Sequence, residues 1–336
     1  MSTRRARGKA MLLTIAALVL SLTAGCGKTG TQAAAGLEKT DLNVAVVPAL
    51  DSAGFFVALY GGLFKAQGLN VAFTPATSSD TVIADQVKGT YDITGGNYVS
   101  YIQAQQSGQA NLDIFAEGSV MEPGTQGIYT MPDSKITSLA ALKGKTVAIN
   151  APKNILYLLA VSILAEKGVN PASVKFVDVP LPEMAAELKS GAVDAAMLPE
   201  PFASEAEETY GAVPLVDLDQ GATTSFPVAG FVATKQWAAK NPRTLAAFYR
   251  ALEEGQRVAD TDRADVEQAM EDLPAKPVRL AVSPATAAVM ALNSYPVSSG
   301  PAGSVDLTRL QRVVNVMQRY LGFPDFNIKS MLMNGG

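Results

Sequence analysis

Asp51-Ser52, Gly95-Gly96-Asn97-Tyr98, Asn150, Lys153-Asn154 and Glu200 stand where short apolar runs give way to helical patterns. Residues of these types at helix starts can hold a small polar molecule. Amides and hydroxyls donate and accept, and the free N–H groups and positive dipole end of a helix attract negative charge. Gly95-Gly96-Asn97 either lets backbone approach a ligand closely or is a plain turn with an Asn cap. Asp51-Ser52 is a contact or a simple N-cap. Lys153, in a first helical turn, either faces an anion or is solvated. Glu200, between Pro199 and Pro201, either accepts from an amino or ammonium group or is a surface turn residue. Tyr98, Tyr157, Phe202 and Phe226 would form aromatic walls or pack in the core.

Other chemistry is excluded by composition. The 336 residues hold no histidine and a single cysteine, Cys26. That removes Ser-His-Asp and Cys-His nucleophile systems, histidine-bound zinc and the usual proton carrier near neutral pH. Carboxylate enzymes survive this filter, with Glu122 or Asp51 beside Glu200 as conceivable pairs. No spacing requires such a pair, so no enzymatic activity, cofactor or metal is expected. The net charge of −4 argues against nucleic acid and against a polybasic membrane surface. Length suggests two domains, and 48% hydrophobic residues suffice for packed cores without disulfides.

The elements that must position these residues repeat. Val44-Ala45-Val46 is echoed by Val147-Ala148-Ile149, Gly68-Leu69-Asn70 by Gly168-Val169-Asn170, and Gly89-Thr90-Tyr91-Asp92 by Gly191-Ala192-Val193-Asp194, at nearly constant offset. In the first copy, strands are expected over 42–47, 70–74 and 91–94, and helices over 53–66, 79–88 and 97–106. In the second, strands are expected over 146–150, 174–179 and 192–198, and helices over 154–167, 183–189 and 201–210. Strand alternating with helix predicts two α/β lobes, each a mostly parallel sheet flanked by helices. Apolar extended stretches, 112–116 with 120–130 and 226–234, are the natural crossings between lobes. Residues 41–120 and 232–336 are assigned to lobe 1 and 121–231 to lobe 2. A helical C-terminal tail follows, with one helix capped by Asn241-Pro242, one opened by Asp306, and a third starting at Ser283-Pro284.

Residues 1–25 look like an export signal: Arg4, Arg5, Arg7 and Lys9 precede the apolar run 10–22, which is shorter than the roughly 20 residues that span a bilayer. Residues 26–40 read as a flexible tether.

Leu22-Thr23-Ala24-Gly25-Cys26 resembles a bacterial lipobox, although the expected leucine lies one residue further back, at Leu22. The resemblance implies cleavage after Gly25 and a diacylglyceryl group on Cys26. Phe64-Lys65-Ala66-Gln67-Gly68-Leu69-Asn70-Val71, Leu139-Ala140-Ala141-Leu142-Lys143-Gly144-Lys145-Thr146-Val147, Leu188-Lys189-Ser190-Gly191-Ala192-Val193-Asp194-Ala195-Ala196 and Pro199-Glu200-Pro201-Phe202 resemble stretches of type II solute-binding proteins of ABC importers. The branch is the one that binds nitrate, sulfonates, taurine and thiamine-pyrimidine precursors. This implies a periplasmic-binding-protein type II fold, and a monomer tethered by lipid to the outer face of the bacterial cytoplasmic membrane. It would hand a sulfonate, taurine, nitrate or aminopyrimidine-like ligand to ABC permease subunits. Carboxylates in these loops, Asp51 and Glu200, weaken the case for a purely anionic ligand and leave room for a zwitterion such as taurine, or an aminopyrimidine. A pyrimidine synthase of the same fold consumes an active-site histidine, which this chain lacks. A surface-tethered carboxylate enzyme and a ligand sensor for a signalling receptor are the competing readings.

Overall fold

The computed structural model describes residues 36–271 and 305–332. The expected leader, Cys26 and the helix after Ser283-Pro284 lie outside these residues. Among the described residues no helix is long and apolar enough to cross a membrane.

The described strands form two five-stranded sheets. In lobe 1, β1 (Asp41–Val46), β2 (Asn70–Pro75), β3 (Ile93–Asn97), β4 (Leu112–Val120) and β10 (Pro227–Thr234) take the order β2-β1-β3-β10-β4. In lobe 2, β5 (Gln126–Thr130), β6 (Thr146–Ile149), β7 (Lys175–Asp178), β8 (Ala195–Pro199) and β9 (Val213–Asp217) take the order β7-β6-β8-β5-β9. β1 pairs in parallel with β2 and β3, and β6 with β7 and β8. β10 runs antiparallel between β3 and β4, and β5 between β8 and β9. Both sheets therefore share one design, in which a mostly parallel sheet admits the strand that has just crossed from the other lobe. β10 joins the first sheet from Pro227 onward, slightly ahead of the expected return at 232.

Helices cover the sheets. They are α1 (Ala53–Tyr60), α2 (Leu63–Ala66), α3 (Ser79–Val87), α4 (Tyr98–Gln106), α5 (Ile155–Glu166), α6 (Leu181–Ser190), α7 (Phe202–Tyr210), α8 (Lys235–Lys240), α9 (Pro242–Thr261), α10 (Arg263–Glu271) and α11 (Leu307–Leu321). The single helix expected over 53–66 is two, because Gly62 takes φ 75°, a left-handed conformation that breaks the helix despite the continuing apolar spacing. β3 reaches Asn97 rather than ending at Thr94, since β10 pairs with it through Gly95, Gly96 and Asn97.

Phe55, Phe64, Phe231 and Phe248 pack together behind the first sheet, with Phe64 and Phe248 stacked at 4.6 Å. A second apolar core runs without interruption from Tyr98 and Ile102 of α4 through Leu158 and Leu159 of α5 to Leu310, Val313 and Val314 of α11. The C-terminal helix thus packs on elements of both lobes.

Two capping expectations differ in outcome. Asp306 does cap α11, accepting from the amides of Thr308 at 2.8 Å and Arg309 at 3.2 Å. Asn241 does not cap α9 through its side chain, which donates instead to the Trp237 carbonyl at 2.9 Å. Glu38 does so from far along the chain, accepting from the Arg243 amide at 3.1 Å and the Thr244 amide at 2.9 Å. Lys39 reaches Asp92 at 2.6 Å. The last residues of the expected tether are therefore bound to the folded body rather than loose.

Candidate functional site

The carboxyl ends of β1, β3, β6 and β8 converge on a cleft between the two sheets, where open α/β sheets place ligands. The cleft encloses about 30 Å³ and is walled by Asp51, Ser79, Gly96 and Asn97 from lobe 1 and by Gln126, Asn150, Leu181 and Pro199 from lobe 2. A second chamber of about 20 Å³ shares Asp51, Gln126 and Pro199 with the first and adds Ser119, Thr125 and Glu200.

Asp51, Gly96, Asn97 and Asn150 thus line the first chamber, and Asp51 and Glu200 the second. Two other nominated residues stand immediately behind them. Ser52 donates to Asp51 Oδ1 at 3.2 Å, and Asn154 donates through Nδ2 to Asn150 Oδ1. The remainder sit elsewhere. Gly95 faces Phe231, whose ring would lie 2.6 Å from a Cβ at that position, so packing alone accounts for a glycine here. Tyr98, Phe202 and Phe226 are fully buried in the core; apolar packing claimed all three, and the Arg312 guanidinium covers the Phe226 ring at 5.8 Å. Lys153 has an exposed side chain outside the cavity lining, and its carbonyl accepts from Gln103 Nε2 of α4 at 2.7 Å.

Three helices that start at the cleft each give an amide to one of the chain's own acceptors, whereas α1, α3 and α6 start there without a side-chain cap. Asn97 Oδ1 accepts from the Ser100 amide at 2.9 Å at the start of α4, and Asn154 Oδ1 from the Tyr157 amide at 3.3 Å at the start of α5. Glu200 does the same for α7, accepting from the Ser204 amide at 3.2 Å and the Ser204 hydroxyl at 2.9 Å. Asn97 also donates from its amide and from Nδ2 to Ser79 Oγ, at 2.9 and 3.0 Å, which leaves the Ser79 hydroxyl hydrogen for another acceptor.

Burial pushes the Glu200 carboxyl up to about 7; the bonds from Ser204 pull it down, and Glu207 and Glu208 push it further up. Burial likewise pushes Asp51 up to about 6 against the bond from Ser52. Both carboxyls therefore gain from a partner that favours their charged form. Among the described residues, the cavity lining contains no Lys or Arg.

Ser119, Thr125, Gln126 and Ser79 escaped the sequence reading. Ser119 is 2% and Gln126 6% exposed, and Ser119 Oγ and Gln126 Oε1 have no hydrogen-bond partner among the described residues. They lie at the ends of β4 and β5, where the sequence showed only apolar crossings; pairing of Gln126 with Pro199 places it next to Glu200. The Ser78-Ser79-Asp80 run at the start of a helix was the available signal for Ser79.

A family model described as NMT1/THI5 like matches residues 49–262. The chain is 28% identical over 247 residues to the bicarbonate transport ATP-binding protein CmpC of Synechocystis sp., covering 67% of this chain and 36% of that one. It spans about a third of the length of the curated relatives it matches. Among solved structures, it resembles the alkanesulfonate-binding protein SsuA from Xanthomonas axonopodis pv. citri bound to MOPS, with TM-score 0.69 and 17% identity over 86% of this chain and 96% of that one. It also resembles the periplasmic nitrate-binding protein NrtA from Synechocystis PCC 6803, with TM-score 0.63 and 20% identity over 71% of this chain and 67% of that one. At these identities the structural likeness concerns the fold.

Proposed function

The chain belongs to the NMT1/THI5-like family, and from that premise we propose that it is the extracytoplasmic solute-binding component of an ABC importer. In this reading Cys26 carries a lipid that holds the body at the outer face of the cytoplasmic membrane. The lobes close on one small molecule per chain and present it to the permease. The observation that carries the reading is the shared cleft: polar groups from the strand ends of both lobes line one cavity, with Gln126 Oε1 and Ser119 Oγ lacking a protein partner among the described residues. Met121 donates to the Phe226 carbonyl at 2.8 Å, so the two crossing segments run side by side and form a natural hinge.

Ligand touching both lobes is fully satisfied only when the cleft is shut, which supplies the differential affinity that closure requires. A ligand at a hundred times its dissociation constant raises stability by about 2.7 kcal/mol. Melting-temperature screens of taurine, alkyl sulfonates, nitrate and aminopyrimidines, followed by small-angle scattering with any hit, test the reading. An unchanged radius of gyration at saturation would overturn closure. Asp51 and Glu200 on one cavity favour, as a second reading, a tethered carboxylate enzyme; chemical change in a bound compound is the result that would select it.

A further inference from the structure

We propose that the cleft takes a small organic cation, an ammonium or amidinium group on an apolar body, with the positive group seated between Asp51 and Glu200. This rests on the solute-receptor reading and narrows it to a ligand charge.

Four features of the cavity converge. Asp51 and Glu200 come from opposite lobes and, among the described residues, are the charged side chains that line it. Beside them, Gln126 Oε1 and Ser119 Oγ are buried without a hydrogen-bond partner among the described residues; the amide oxygen calls for a donor, and the hydroxyl can accept from one. Next, the starts of α4, α5 and α7 each already give an amide to Asn97, Asn154 or Glu200, so an anion at those three ends would compete with the chain's own oxygens while facing two carboxylates. Lastly, the chamber away from Glu200 is walled by Val47, Ile155, Leu156 and Leu181, which suits an apolar body rather than a bare inorganic ion. Both carboxyls are held above their usual range by burial, and a bound cation reverses that penalty.

The test uses the full chain and two series of probes: ethylammonium, choline and agmatine against ethanesulfonate, nitrate and bicarbonate, each titrated by calorimetry at pH 7.5. At least one cation binds, and Asp51→Asn and Glu200→Gln each weaken it about ten-fold or more, because each removes one partner of a desolvated charge contact. The melting temperatures of the unliganded variants check that they fold. Gln126→Glu, which adds a third carboxylate to the same wall, tightens the cation and serves if either isosteric variant fails to fold. Binding of anions alone overturns the charge assignment while leaving the receptor reading intact. Cation binding that survives both substitutions overturns the placement. Silence from both series overturns the cation class, and if scattering then shows no closure with any compound of the wider screen, the receptor reading falls with it.

Discussion

Asp92 and Asn43 are joined twice: the Asn43 amide donates to Asp92 Oδ2 at 2.8 Å, and the Asp92 amide donates to the Asn43 carbonyl at 2.8 Å. Asp194 and Thr146 repeat the arrangement in the other lobe, at 2.9 Å in each direction. Lysines complete both, Lys39 on Asp92 at 2.6 Å and Lys145 on Asp194 at 3.0 Å. The two aspartates differ in burial, at 5% and 36% exposed, and Asp92 also accepts from Trp237 Nε1 at 2.7 Å. Asp92→Ala is expected to cost about 3 kcal/mol in urea unfolding, since it strands several donors, and Asp194→Ala about 1 kcal/mol. Equal losses would show that burial does not set the difference.

Gly96 has no room for a methyl group. A Cβ there would lie 2.1 Å from Ser79 Oγ. Gly96→Ala is expected to cost about 1–3 kcal/mol and to weaken ligand binding by pushing Ser79 off Asn97. Adding Ser79→Gly should recover part of the stability, measurable as a coupling in a double-mutant cycle.

Stability without ligand should fall as pH rises from about 4 to about 7. Asp51 moves from 3.8 to about 6 and Glu200 from 4.5 to about 7 on folding, so the folded chain binds more protons across that window. The contribution is complete below the ordinary values and lost as pH passes the raised ones. Burial shifts Asp80 and Glu207 in the same direction. Glu38 acts in the opposite sense: slight desolvation raises it, but bonds from Thr244 and Arg243 hold it at about 2, so its loss begins only below 4.5. Asp51→Asn with Glu200→Gln should flatten the slope of melting temperature against pH between 4 and 7. An unaltered slope would falsify the assignment.

Glu38 caps a helix that lies 205 residues away in sequence. Glu38→Ala should lower stability by about 1 kcal/mol, as for the loss of an N-cap. It should also speed proteolysis ahead of β1, because Leu37 and Lys39 lose an anchoring neighbour.

Lipidation is tested at Cys26. Intact-mass analysis of the membrane fraction should show a diacylglyceryl increment on a chain beginning there, and Cys26→Ala should release a protein of unchanged ligand affinity. A wild-type chain found only in soluble form would sink the anchor.

Much of the fold was legible because the repeat left matching residues at matching places: Asp92 and Asp194 were visible as paired motifs before their identical hydrogen bonds were. What stayed hidden depends on strands brought from far along the chain. Gly95 and Gly96 read as a turn, yet β10 makes them strand. Gln126 read as mere crossing, and Ser119 fell between the two crossing stretches, because the pairing that turns them to the cavity belongs to β8 and β10. Tyr98, Phe202 and Phe226 carry no mark in sequence that separates a wall from a core, and the core took them.

The place of β10 between β3 and β4 has a consequence for how the protein is made. A chain emerging N-terminus first exposes facing edges on β3 and β4 throughout the interval from Val120 to Pro227, and each is a template for wrong pairing. Completion of the first sheet waits on the whole second lobe, a non-local closure that slows folding. Truncation anywhere in that interval leaves no half-protein with a finished sheet. Such fragments are expected to aggregate or be degraded rather than persist as a single stable lobe.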